Sequence, residues 1–290
     1  MRRNLLLPWV LLAPSMLLFA VFSAGPIVLM VQQSFFRTNY ILSLFVGLKN
    51  FAAIARDELF GKSIVNTLKF AAILIPFQTL VPLVIALVVV NARKWLQDYT
   101  RFAFYAPAFA SGIIVATVWQ WIFHPTEIGL ANYLLGLAGA EPVIWFGRQM
   151  TAIGAICIII LTTYIGSYVL IYLATMMAIS PELYDAARVD GATWMQVRFR
   201  VIVPMISPTI GLVMIMVTIS AMQIWALVFL LTNGGPNYGT TTMMFNIYEE
   251  GFLYQRYGYA SAKSFILFLT ILALVLAQQR FRGLQQGFRL

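Results

Sequence analysis

The chain alternates between long apolar runs without charge and short charged segments. No charged residue occurs in residues 4–36, 70–92, 102–126, 149–181 and 201–248. Each run is longer than the ~20 residues of helix that cross a bilayer core about 30 Å thick. The last run is interrupted by the turn-forming stretch TNGGPNYGT, residues 232–240. This pattern predicts helical membrane spans joined by short loops.

We expect an all-α integral membrane protein with six spans, forming a single transmembrane domain over residues 1–290. The predicted spans are residues 5–33, 66–92, 102–124, 150–178, 205–231 and 259–279. Lys263 lies inside the last span, and we expect its long side chain to snorkel outward to the polar interface. The first apolar run is longer than the ~7 to 15 residues of a signal-peptide core, so it predicts a retained first span.

The distribution of Lys and Arg predicts the orientation of the spans. Six spans put both termini on one side of the membrane. If that side is cytoplasmic, the inner segments carry eleven cations, including Arg2, Arg3 and Arg289, and the longer outer segments carry eight. This is the positive-inside bias. The net charge of +9 then reflects topology and attraction to anionic lipid rather than nucleic-acid binding.

Composition supports a membrane protein, since 61% of residues are hydrophobic and 10% are charged, against about 25% charged in soluble domains. Cys157 is the only cysteine and lies in the fourth span. It cannot form an internal disulfide, and we interpret it as a packing residue.

The residues that would let the chain power transport by itself are missing. All ten acidic residues fall in loops or at span ends, and the single histidine, His124, stands at a span boundary. An ion-coupled secondary carrier or channel is therefore the less favoured alternative, although backbone carbonyls could still bind sodium. The FGKS stretch at residues 60–63 lacks the glycine of a phosphate-binding loop, and no catalytic or metal-binding spacing favours a membrane enzyme.

The charged segment between spans 4 and 5, residues 181–204, carries clear helix-boundary signals. Pro181 follows Ser180 and predicts a helix to about Val189, which Gly191 ends in the left-handed conformation. A bend followed by a second short helix is therefore expected.

The second helix should start at Trp194, because Thr193 and Gln196 have capping-box spacing. Pro204 is expected to interrupt or redirect it, and the fifth span to begin there. The cations Arg188, Arg198 and Arg200 are expected to form charged edges of this segment. The residues alone leave two interpretations open, a partner-binding knob and a solvated loop that holds anionic lipid.

The stretch LYDAARVDGATWMQVRFRVIVPMISPT resembles the EAA signature of binding-protein-dependent ABC importer permeases. The matching positions are Asp185, Ala186, Ala187, Gly191, Val201, Val203 and Pro204, with Asp185 and Val201 standing for the usual Glu and Ile. The stretches FVGLKNF, NTLKF, LLTNGGPNYGTTTM and YGYASA are similar to the carbohydrate branch of this family. The resemblance covers about residues 5–285.

The resemblance implies the type I importer fold, in which the EAA segment is a cytoplasmic coupling helix seated in a separate ATPase subunit. It implies that the following residues contact that ATPase: Glu182, Asp185, Ala186, Ala187, Arg188, Asp190, Gly191 and Ala192. The implied partners are two ABC ATPases that bind ATP-Mg, a second permease, usually a different one, and an extracytoplasmic sugar-binding protein. The chain itself needs no cofactor, and the implied location is the cytoplasmic (inner) membrane of a bacterium or archaeon.

A sugar path through the membrane needs small polar groups beside aromatic rings. The candidates are Thr163, Tyr164 and Ser167 in span 4, and Thr218, Ser220, Gln223 and Trp225 in span 5. Polar groups that join helix to helix are the other interpretation of these positions. The sequence does not specify which carbohydrate is carried or whether the two permeases are identical.

Overall fold

The computed structural model describes residues 7–39 and 41–287, without the side chains of residues 7, 8, 188 and 282–287. The predicted start of the first span at residue 5 and the cations Arg2, Arg3 and Arg289 lie outside the described residues.

Helices make up most of the described chain, and their bounds are as follows. The α-helices are α1 Leu7–Phe19, α2 Gly25–Gln33, α3 Lys49–Ile54, α4 Glu58–Val89, α5 Lys94–Tyr105, α6 Gly112–Ile122, α7 Leu130–Leu137, α8 Gln149–Met177, α9 Pro181–Val189, α10 Trp194–Gln196, α11 Val203–Met205, α12 Ser207–Met222, α13 Ala226–Leu231, α14 Met243–Tyr248 and α15 Tyr257–Gly287. Wider π turns occupy Ala20–Ala24, Val197–Ile202 and Glu249–Leu253, and a 3₁₀ turn occupies Ala106–Phe109. Two short strands, β1 Phe36–Thr38 and β2 Ser43–Phe45, pair antiparallel with Phe36 opposite Phe45.

Within the described residues, four helices are long and apolar enough to cross a membrane: Trp9–Gln33, Glu58–Val89, Gln149–Met177 and Tyr257–Phe281. Two bent pairs qualify when each is taken together, Lys94–Phe109 with Gly112–Ile122 and Trp194–Met205 with Ser207–Met222. The described chain therefore offers four to six spans, in agreement with the all-α fold expected from the sequence. The limits of the individual spans stay predictions.

Both bent pairs differ from the straight helices that the apolar runs suggest. The first pair bends by 101° and the second by 67°. In the second pair the helix continues through Pro204 and breaks at Ile206, so the prediction that Pro204 redirects the chain was wrong by two residues. We attribute this to the π turn just before it, whose wider backbone relieves the clash that a proline ring makes in a regular α-helix.

The described chain forms two compact units, the first comprising residues up to Gly61 together with Asn246–Thr270. In this unit Phe51 packs edge-on against Phe265 of α15 and also contacts Phe35. The amide of Asn50 donates to the carbonyls of Ser34 and Phe36, which ties α3 to the start of the β-hairpin.

The second unit comprises Lys62–Phe245 and the chain from Ile271 onward. Its core contains buried side chains of α4, α8 and α12, among them Leu87, Tyr172 and Val213. Helix α8 passes so close to the end of α5 that a Cβ atom on Gly166 would lie 2.0 Å from the carbonyl oxygen of Phe104. Only glycine fits at this position, so it sets the spacing of the two helices.

Candidate functional site

The first candidate site is the bent segment of residues 181–196, called the elbow below. Its first helix, α9, runs from Pro181 to Val189, as the sequence predicted. Gly191 has φ +74°, and the amide of Ala192 donates to the carbonyl of Ala187 at 3.0 Å. This six-to-one hydrogen bond across a left-handed glycine is the helix-ending arrangement that fixes the direction of the chain.

The second half of the elbow is fixed by its own side chains. The amide of Gln196 donates to the hydroxyl of Thr193 at 3.4 Å, and the amide of Thr193 donates to the side chain of Gln196 at 2.7 Å. The predicted capping box and the predicted start at Trp194 are therefore confirmed. Local hydrogen bonds thus hold both sides of the bend.

The predicted ATPase-contact residues are divided between an outer and an inner face of the elbow. Exposed positions are Glu182, Asp185, Ala186, Asp190 and Gly191, while Ala187 and Ala192 are half-buried and pack against the core of the second unit. The side chain of Arg188 lies outside the described residues. The elbow therefore presents a mostly acidic and small-residue surface from a packed base.

Tyr184 anchors that base, because its hydroxyl donates to the carbonyl of Met176 at the end of α8. Burial raises the pKa of the Tyr184 hydroxyl, and the positive charge of Arg198 opposes the shift. The phenol is thus neutral at physiological pH and able to donate.

Arg198 does not form a charged edge of the elbow, so this part of the sequence prediction was wrong. Its exposure is 3%, and its Nε donates to the carbonyl of Leu87 in α4 at 2.7 Å. Arg200, two residues on, is exposed as expected. The two side chains differ because residues two apart point to opposite sides of a helical turn, so within Val197–Ile202 Arg198 faces the core and Arg200 faces away from it.

The second candidate site is a cavity of about 350 Å³ in the second unit. It is lined by residues of α4, α8 and α12 and by the chain that follows α12. Five of the seven side chains predicted for a sugar path lie on its wall: Tyr164, Ser167, Ser220, Gln223 and Trp225. Hydroxyls, an amide and two aromatic rings are thus brought together in one place.

A break in the helix creates part of this wall. Helix α12 ends at Met222, and the backbone is not helical from Gln223 to Trp225. The carbonyl of Ile224 in this break accepts a hydrogen bond from the hydroxyl of Thr242. Irregular backbone at membrane depth is tolerated where it lines a cavity and its polar groups find partners.

Thr163 and Thr218, the other two predicted path residues, do not line this cavity. Both are buried, and their hydroxyls donate to carbonyls one turn back in their own helices, those of Ile159 and Met214. Thr218 also accepts a hydrogen bond from Gln278 at 2.7 Å. The structure therefore gives these two threonines helix-to-helix and intrahelical partners.

Two further polar residues on the cavity wall were missed by the sequence reasoning. Gln78 of α4 is buried, and its amide lies 3.4 Å from the carbonyl of Ile160. Tyr168 of α8 lies one residue beyond Ser167 and also lines the wall. An amide in the middle of the apolar run of residues 70–92 was the signal that could have indicated Gln78.

A third cluster, in the first unit, surrounds Lys263. Its side chain is 0% exposed, and its Nζ lies 2.8 Å from Asp57, 2.9 Å from Glu250 and 2.7 Å from the side-chain oxygen of Asn246. The expectation that Lys263 snorkels outward was wrong. Two carboxylates and an amide replace the water that a snorkelling ammonium would seek.

Asp57 precedes the second candidate span, and the Lys263 cluster changes the pKa of its carboxyl. Burial by itself raises the pKa of the Asp57 carboxyl, but hydrogen bonds from Lys263, the Phe60 amide and Tyr259 together hold it below its ordinary value of 3.8. The carboxyl is therefore ionised at neutral pH and is a permanent partner of the lysine.

The Lys263 cluster lies beside a larger cavity of about 970 Å³, whose wall includes Asp57 and Glu250. Glu250 is paired with Arg256 at 2.6 Å as well as with Lys263. The polar groups here are paired with each other, as expected for a structural support. Across the residues that the structure describes, no group of three or more His, Cys, Asp or Glu side chains is arranged to hold a metal ion.

A family profile and individual related proteins match most of this chain. A profile of the family described as "Binding-protein-dependent transport system inner membrane component" matches residues 78–282. The probable ABC transporter permease protein YurN of Bacillus subtilis (strain 168) is 30% identical over 285 residues, which cover 96% of this chain and 97% of that protein. The sulfoquinovosyl glycerol transport system permease protein SmoG of Agrobacterium fabrum (strain C58) is 30% identical over 266 residues, covering 91% and 86%.

The fold has a solved counterpart. A chain of the bacterial alginate ABC transporter, in complex with alginate pentasaccharide-bound periplasmic protein, superimposes with a TM-score of 0.80 at 26% identity. The match covers 94% of this chain and 92% of that chain. The fold is therefore that of an ABC importer permease, and the chain belongs to the family of binding-protein-dependent transport system inner membrane components.

Proposed function

We propose that this chain is the transmembrane subunit of an ABC importer and forms half of the path for a carbohydrate. Separate ATPase subunits would bind ATP-Mg and drive alternating access, and the chain itself would carry no cofactor. The names of SmoG and of the alginate transporter, which refer to a sugar glycoside and an acidic polysaccharide, support the carbohydrate class.

The observation that carries this proposal is the elbow. An exposed bend with a left-handed glycine and a capping box is fixed by local hydrogen bonds and packed at its base. A segment that transmits force to a partner needs such a fixed bend, because a flexible loop would absorb the displacement. Contact with an ATPase through Asp185, Ala186, Gly191 and their neighbours stays a prediction.

The remaining partners follow from the same proposal. They are a second, different permease, two ABC ATPases and an extracytoplasmic binding protein. The last of these is supported by the alginate transporter, whose structure is a complex with a periplasmic protein. The protein would lie in the cytoplasmic (inner) membrane of a bacterium or archaeon with both termini inside. Its positive charge would face anionic lipid rather than nucleic acid.

We assign the sugar path to the cavity of the second unit. Its volume of about 350 Å³ lies in the range typical of ligand sites. Tyr164 and Trp225 offer faces on which a sugar ring stacks, and Ser167, Ser220 and Gln223 offer hydrogen bonds to its hydroxyls.

The test is a cross-linking experiment on the assembled transporter in membranes. In a Cys157→Ala background, Asp185→Cys on the elbow should cross-link to the ATPase subunit, and Glu127→Cys, an exposed position outside the elbow, serves as the matched control. ATP-dependent uptake of candidate glycans into vesicles is measured in parallel. Failure of Asp185→Cys to cross-link, or uptake that persists after the ATPase is removed, would contradict the proposal.

A further inference from the structure

Arg198 makes three contacts that tie the elbow to α4. Its Nε donates to the carbonyl of Leu87 at 2.7 Å, and its Nη1 lies 3.4 Å from the carbonyl of Trp194. Its guanidinium also stacks 3.1 Å from the ring centre of Trp194, the first residue of the elbow's second helix. One buried side chain thus joins the elbow to a different membrane helix.

The Leu87 carbonyl is a position where such a tie is strong. Helix α4 ends at Val89, so Leu87 is among its last carbonyls, which have no partner within a regular helix. A cation there is also favoured by the negative end of the helix dipole. Gln97 completes the same helix end by donating to the carbonyls of Val90 and Ala92.

Helix α4 leads from this tie to the cavity. Leu74 and Gln78 of α4 line the cavity wall, and the nine residue steps of helix from Gln78 to Leu87 span about 13.5 Å. Pro82 lies between them and provides no amide for the carbonyl of Gln78, four residues earlier. The segment from Pro82 to Val89 can therefore tilt against the rest of α4 at the level of the cavity.

The direct route along the chain is less suited to carry displacement. From the elbow it passes through the π turn of Val197–Ile202 and the 67° bend at Ile206 before reaching α12. The tie through Arg198 bypasses that bend.

We propose that Arg198 is a positioning residue that carries displacement of the elbow to the end of α4 and so to the wall of the cavity. This inference rests on the proposed function, in which the elbow is moved by an ATPase. It assigns α4 as a second route of coupling, alongside the covalent connection to α12.

The experiment compares Arg198→Met with Arg200→Met in the assembled, reconstituted transporter. Arg200 is the matched control, because it is an exposed arginine two residues away in the same turn. Spin labels are placed at two exposed positions, Val189 on the elbow and Val88 on α4, and their distance distribution is measured. The ATP consumed per sugar imported is measured in the same preparations.

Arg198→Met should broaden the Val189–Val88 distribution and raise the ATP consumed per sugar, because loss of one charged hydrogen bond weakens the tie by about tenfold in its equilibrium constant. Arg200→Met should match the wild type in both measurements. A wild-type distribution in Arg198→Met, or an equal effect in both variants, would overturn the inference.

Arg198→Lys keeps a charged donor but loses the planar stack on Trp194, so it should give intermediate values. If Arg198→Met does not accumulate in the membrane, Arg198→Lys is used in its place. A wild-type label distribution and a wild-type ratio of ATP to sugar in Arg198→Lys would then overturn the inference. The proposed function would fail on a different result, the absence of ATP-driven uptake by the wild-type complex. In that case the label distances would still show whether Arg198 holds the elbow and α4 together.

Discussion

Lys263 shows how strongly a single buried cation depends on its partners. Replacing it with methionine leaves Asp57 and Glu250 as like charges without their shared counter-ion. Removing one member of a buried ion pair costs about 3–5 kcal/mol. We expect Lys263→Met to lower the midpoint of thermal unfolding in detergent, and tryptophan fluorescence measures that midpoint.

Lys49→Met is the control for this measurement, because Lys49 is an exposed lysine of the same unit. Its effect should stay within about 0.5 kcal/mol. Equal shifts in the two variants would show that Lys263 does not stabilise the fold through its ion pairs.

The lowered pKa of Asp57 predicts how the stability of the fold varies with pH. Its pKa is lowered in the folded chain, so its contribution is complete above the ordinary value of 3.8 and is lost as pH falls through the lower, folded value. As pH falls below 3.8, the wild type should therefore lose stability more steeply than Asp57→Asn. Unfolding midpoints measured at a series of pH values decide this, and parallel curves would contradict it.

Residue-level errors of the sequence analysis have one physical cause. A lysine near the end of an apolar run snorkels or is buried according to whether carboxylates from elsewhere reach it. For Lys263 those carboxylates are Asp57 and Glu250, and for Arg198 the deciding acceptor is Leu87. Hydropathy patterns contain no information about such distant partners.

At the scale of the element, the elbow depends on one backbone conformation. A Cβ atom on Gly191 would meet no atom beyond its chain neighbours within 4 Å, and the φ of Gly191 is +74°. A side chain there is therefore opposed by backbone strain and not by a clash. Asparagine tolerates this conformation and valine does not. We expect Gly191→Val to remain in the membrane while uncoupling ATP hydrolysis from uptake, and Gly191→Asn to retain most coupling.

The ratio of ATP hydrolysed to sugar imported, measured in proteoliposomes for the two variants, tests this expectation. Normal coupling in Gly191→Val would refute the view that the fixed bend transmits force.

The elbow was predictable because its hydrogen bonds are local. Pro181, Gly191 and the pair Thr193 and Gln196 each act within a few residues of themselves. The break after Met222 carries no proline or glycine, and its Ile224 carbonyl is bonded by a threonine far along the chain. Sequence patterns therefore predicted the polar side chains of the cavity better than the backbone that arranges them.

At the scale of the whole molecule, the cavity and the threonines that lie outside it make a direct comparison possible. Ser167→Val removes a hydroxyl from the cavity wall, whereas Thr163→Val removes a hydroxyl bonded within its own helix one turn earlier. We expect the first change to raise the KM for sugar uptake by about tenfold, since a lost hydrogen bond to substrate is worth ~1.5 kcal/mol.

Thr163→Val should leave the KM within about twofold, because its hydroxyl does not face the cavity. Uptake of labelled glycan at graded concentrations measures both values. A larger effect of Thr163→Val than of Ser167→Val would place the sugar path elsewhere.

The buried lysine of α15 also bears on how the chain is made. Before its partners are in place, a lysine within a span costs up to ~3 kcal/mol on insertion into lipid. Asp57 leaves the ribosome long before Lys263, and Glu250 shortly before it. We expect the carboxylates already synthesised to lower the cost of inserting the last helix, so that losing both of them would hinder the final step of biogenesis rather than the first.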